Sequence, residues 1–116
     1  MLDMDENGRN LQLQKLCDDI RKKAERRDFV SCVKQICEAM GHYPDAPQPH
    51  NLLGIVLEKE GDHVRAMRHF RAAYALDPSY RPPRVNLERF GTFCSSTRCA
   101  YDESGCEMKG WMRYDK

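Results

Sequence analysis

The sequence predicts an all-α protein built from helical hairpins, with a capping helix and an irregular C-terminal tail. Three observations predict it. Apolar residues recur at helical spacing through most of the first 90 positions. Glycine and proline mark the ends of these stretches rather than diluting them. Residue types also return after 34 positions, as with Asp28 and Asp62 or Pro44 and Pro78.

Residues 47–80 show the pattern most clearly. Leu52, Leu53, Val56 and Leu57 fall on one face of a first helix. Gly61 stands where that helix must stop, because glycine enters the left-handed region without steric cost. Asp62 is a good N-cap for a second helix. There Val64, Met67, Phe70 and Tyr74 form a stripe, with Ala66 and Ala73 beside it. Antiparallel helices pack closely where side chains are small, so Gly54 and Ala66 are the expected contact points, with Phe70 filling the space beside them. Asp77-Pro78 ends the hairpin, since the residue before proline is pushed from helical angles.

The order Leu53, Gly54, Leu57, Gly61, Ala66, Phe70, Ala73, Pro78 resembles the tetratricopeptide (TPR) repeat, a 34-residue helix–turn–helix unit. His50 and Leu57 stand where that family usually has Trp and Tyr. Residues 13–46 resemble a degenerate first repeat, with Cys32, Ile36 and Ala39 in place of Ala66, Phe70 and Ala73. Its departures are Asp19, Ile20 and Arg27. The resemblance covers residues 13–90. It implies a right-handed α-solenoid of two repeats, about 13–46 and 47–80, plus the capping helix.

Taken in order, residues 1–9 read as a flexible N-terminus. Residues 10–90 form the helical domain. Its first helix, 10–26, carries Leu13, Leu16, Cys17, Ile20 and Ala24 at helical spacing. The basic run 21–27 reads as a solvated face, with Asp18 and Asp19 four positions before Lys22 and Lys23. In the next helix Asp28 is the cap, and Phe29, Val30, Val33, Ile36, Cys37 and Met40 form the expected stripe. Gly41 is placed for its C-cap. Residues 81–90 are the capping helix, opening on Pro82-Pro83, which a first turn tolerates. Its Val85, Leu87 and Phe90, with Trp111, are candidates for an apolar patch supporting a homo-oligomer. Residues 91–116 lose helical periodicity and form an irregular, cysteine-containing tail.

A chain of 116 residues suits one domain with one modest core. Its net charge of +1 exerts no global pull on nucleic acid or acidic membranes. The acidic, polar start is not a signal peptide, and no apolar run reaches membrane-spanning length. Cys17, Cys32 and Cys37 read as small hydrophobes of a reducing compartment, which makes the cytoplasm the expected location.

No catalytic motif or phosphate-cradling loop is present, so the expectation is a non-enzyme without a cofactor. The four histidines read as solvated or turn residues. Cys94, Cys99 and Cys106 are spaced C-x4-C-x6-C, without C-x2-C knuckles. Three ordinary thiols are the expectation, and a metal- or redox-responsive tail is the alternative. A nucleic-acid accessory role for the basic helix faces ranks below it. The TPR resemblance implies a concave face lined by the first helix of each repeat. Gln14, Cys17, Arg21, Gln48, Asn51, Ile55, Glu58, Val85, Asn86 and Arg89 then face the groove. Of these, Arg21, Asn51, Ile55, Asn86 and Arg89 are the candidate peptide-binding residues. The expected function is protein–protein interaction, as an adaptor or scaffold. The expected ligand is a peptide or partner helix bearing an acidic or C-terminal carboxylate and one apolar side chain.

Overall fold

A computed structural model describes residues 6–91 and 98–106. These residues form five α-helices: α1 (Glu6–Glu25), α2 (Phe29–His42), α3 (Pro47–Lys59), α4 (His63–Leu76) and α5 (Pro82–Phe90). A single 3-10 turn follows at Glu103–Cys106. No strand occurs among the described residues. Each helix packs on the next, and α1 also touches α3. No described helix is long and apolar enough to cross a membrane.

The 34-position recurrence is visible in the backbone. Helix α1 ends at Glu25 and α3 at Lys59; α2 spans Phe29–His42 and α4 His63–Leu76. Each first helix ends in the same two bonds. Asp28 N donates to Lys23 O and Arg27 N to Ala24 O, both at 2.9 Å. Asp62 N donates to Leu57 O at 2.9 Å and Gly61 N to Glu58 O at 3.0 Å. This pairing closes a helix through one left-handed residue. That residue is Gly61 in the second hairpin (φ 90°) and Arg27 in the first (φ 61°). Asp28 and Asp62 then cap α2 and α4, accepting from Ser31 N and Arg65 N, each at 3.3 Å.

The core runs between the helix layers through Leu13, Leu16, Ile20, Ile36, Leu52, Ile55, Val56 and Phe70. Gly54 meets the Phe70 ring: a Cβ there would lie 2.6 Å from Phe70 Cε1. Phe70 in turn stacks on Phe90, with centroids 6.2 Å apart. Phe90 and Leu87 are half-buried against the core; Trp111 lies outside the described residues.

Several local expectations need correction. The helix expected from residue 10 begins at Glu6, and Arg9 anchors it with a 3.0 Å ion pair to Asp45 and its guanidinium over the Tyr43 ring. Residues 6–9 are thus part of the fold. Gly41 lies inside α2, and Tyr43 caps that helix, its N–H donating to Ala39 O. Val30 and Val64 are 84% and 63% exposed; both are second residues of their helices, turned to the outer face. Cys37 and Tyr74 are exposed as well. The acidic pair of α1 binds other cations than expected, with Lys15 on Asp19 at 3.1 Å and Arg21 on Asp18 at 2.9 Å.

Candidate binding groove

Helices α1, α3 and α5 each contribute polar side chains to one strip, and the chain's own segment Arg98–Cys106 lies across it. Asn51 on α3 and Asn86 on α5 form its centre. Both side chains are fully buried. Asn86 Nδ2 donates to Asn51 Oδ1 at 2.9 Å and to Ala100 O at 2.9 Å. Asn51 Nδ2 donates to the same carbonyl at 2.9 Å, and Ala100 N donates to Asn86 Oδ1 at 2.8 Å. One carboxamide pair thus satisfies both backbone groups of Ala100. A side-chain amide can do this because it carries a donor and an acceptor side by side.

The contacts to either side follow the helices. Arg89 on α5 donates to the carbonyls of Arg98 at 3.3 Å and Gly105 at 3.1 Å. From α1, Gln14 Nε2 donates to Asp102 Oδ2 at 2.8 Å, and Arg21 Nη1 stands 3.7 Å from the same oxygen. Arg81 Nε, just before α5, donates to Glu103 Oε1 at 2.8 Å. The Ala100 side chain is fully enclosed, and Tyr101 joins the hydrophobic core. Asp102 Oδ1 also accepts from Ser104 N and Oγ, at 3.0 and 2.6 Å. That turn brings Gly105 over Ala100, where a Cβ would come within 2.9 Å of Ala100 Cα.

The electrostatics favour a charged Asp102. Burial opposes its ionisation, but hydrogen bonds from Ser104 and Gln14, with the Arg21 guanidinium, together outweigh that cost and hold the carboxyl below its ordinary value. Beside it, burial pushes the Cys17 thiol up to about 12, opposed in part by its 3.9 Å contact with the Tyr80 hydroxyl. Burial likewise raises the Cys99 and Cys106 thiols. Among the described residues, no three His, Cys, Asp or Glu side chains converge as a metal site. Cys94, the third of the spaced cysteines, lies outside those residues.

Four of the five candidate groove residues, Arg21, Asn51, Asn86 and Arg89, therefore meet one peptide segment. Ile55 differs: it is fully buried in the core, not an open apolar surface between them. Glu58 accepts from His63 at 2.9 Å. Sequence reasoning missed the segment that packs across these residues and the role of Arg81. The available signal was the run Ala100-Tyr101-Asp102-Glu103, whose two acids complement Arg21 and Arg81. A second missed feature is the stacked pair His50–His69, joining α3 to α4 with Nδ1 atoms 3.2 Å apart.

The fold defines an all-α protein of successive helical hairpins. The chain matches no protein-family model, and neither a curated protein nor a solved structure is significantly similar to it.

Proposed function

We propose that this chain is a TPR-type protein-interaction module, a right-handed solenoid of two hairpins capped by α5, which holds an extended peptide segment across α1, α3 and α5. The observation that carries this reading is the grip of Asn51 and Asn86 on both backbone groups of Ala100. Side chains that bind main chain accept many sequences, which is what a peptide groove requires. The hairpin geometry repeated at 34 positions supports the TPR reading. The role proposed is adaptor-like binding rather than catalysis. Cys17 and Cys32, buried as small core side chains, suit a reducing, cytoplasmic setting.

The test is selection of displayed peptides against the full-length chain, followed by NMR mapping of the selected ligands. Shift changes centred on Arg21, Asn51, Asn86 and Arg89, with affinity on the order of micromolar, support the reading. Ligands that map to the outer face around Arg68, or no ligand at all, contradict it.

A further inference from the structure

We propose that Arg98–Cys106 is a displaceable, built-in mimic of the partner, and that the partner presents an internal small residue–aromatic–aspartate run. This rests on the groove reading above and names its ligand.

The contacts divide by what they read. Asn51, Asn86 and Arg89 bind only main-chain atoms of the segment. These bonds read no side chain, and Arg89 reaches Arg98 and Gly105 together because the turn at Glu103–Cys106 folds the segment back. Selectivity comes from three neighbouring side-chain positions. Ala100 is fully enclosed, and its site holds a small side chain. Tyr101 enters the core and supplies the apolar anchor. Asp102 is received by Gln14 and Arg21. The carboxylate at Arg21 belongs to a side chain, and the backbone runs on past it to Cys106. The groove is therefore shaped for an internal segment rather than a C-terminal carboxylate.

The competition is a matter of concentration. A segment tethered by a short connection sees its own site at an effective concentration on the order of millimolar. A free ligand with micromolar intrinsic affinity is then weakened about 100- to 1,000-fold, because only the undocked fraction of the protein is competent. A natural partner must match the tail's chemistry and exceed its local concentration, by higher affinity or by a second point of attachment.

Fluorescence anisotropy tests this with full-length chains and a labelled nonapeptide carrying the sequence of residues 98–106, with serine for both cysteines. The chains compared are the native one and a Tyr101→Ser/Asp102→Ser variant whose own tail is disengaged. The expected result is peptide binding at least about 100-fold tighter to the variant. Binding should be lost when the peptide itself carries serine at its tyrosine or aspartate. Equal affinity for both chains, or no binding to a variant with native circular dichroism and cooperative melting, overturns the proposal. Should the variant fail to fold, hydrogen exchange of the native chain in millimolar peptide decides. Faster exchange across its own residues 98–106 supports displacement, and unchanged exchange overturns it. Failure here, while selected peptides still map to α1, α3 and α5, removes the mimic and leaves the groove; absence of any groove ligand removes both.

Discussion

Asn51 and Asn86, on α3 and α5, meet side chain to side chain at 2.9 Å, and between them they complete the hydrogen bonding of Ala100. Both are fully buried. A buried amide left without partners costs about 1–3 kcal/mol, so this pair is comfortable only with a peptide backbone or water against it.

Asn86→Ala should therefore destabilise the chain by about 1–3 kcal/mol, because it strands the Ala100 N–H and removes the partner of Asn51. Asn51→Ala should cost a similar amount. The double variant should cost less than the sum, since both act on one network. Urea melts of the three variants measure this coupling. Full additivity would mean that the two amides do not act together.

The contact of Gly54 with Phe70 makes a second prediction. Gly54→Ala places a methyl against the ring and should cost about 1–3 kcal/mol by overpacking. Phe70→Ala should cost about 3–5 kcal/mol by leaving a cavity. Arg68→Ala, on an exposed position, should change the midpoint of a urea melt little. Equal effects at all three sites would contradict the packing described.

Arg27 holds a left-handed backbone that Gly61 adopts freely in the other hairpin. Arg27→Gly should stabilise the first hairpin by about 1 kcal/mol, the usual cost of that conformation for a residue with a Cβ. Its guanidinium stacks 5.0 Å from the Phe29 ring centroid, and loss of that contact offsets part of the gain. Gly61→Ala should destabilise by about 1 kcal/mol. Thermal melts that move both variants in the same direction would contradict the assignment.

The His50–His69 pair predicts a pH dependence. Burial is the main cause that lowers both imidazoles below their ordinary value of 6.5; His50 and Arg65 add to it for His69. Folding then favours the neutral rings. Their contribution is complete above pH 6.5 and is lost as the pH falls through the lowered values. Native stability should be lower at pH 5.5 than at pH 7.5, and His69→Gln should shrink that difference. An undiminished difference in His69→Gln would assign the pH dependence to other groups.

Some of this architecture was legible in the sequence, for local reasons. The turn at Gly61-Asp62, the cap at Asp28 and the helix stop before Pro78 each act within a few residues, so residue type alone locates them. Arg21, Asn51, Asn86 and Arg89 were legible as residues of one strip because their places on α1, α3 and α5 bring them to the same segment. Val30 and Val64 misled because residue type cannot tell an inward from an outward position in a helix's first turn. The packing of residues 98–106 across this strip was hidden for a different reason. Residues 98–106 have no periodicity, and their contacts span 14 positions from Asn86 to Ala100 and 88 from Gln14 to Asp102. Arg27 was recognised as a departure at its turn, but its left-handed backbone shows only in the dihedral angle.

The most direct test of the account is hydrogen exchange at the Ala100 amide of the native chain. That N–H donates to the buried Asn86 Oδ1 at 2.8 Å, and on the proposed reading the segment around it is a displaceable ligand of the helices. The account predicts protection well above that of a free peptide but clearly below that of the Leu52 amide in α3, because the tail opens without unfolding the hairpins. An amide that exchanges like a free peptide would show that the segment is not docked. One that exchanges only with global unfolding would show that the groove never opens, and either result would contradict the account.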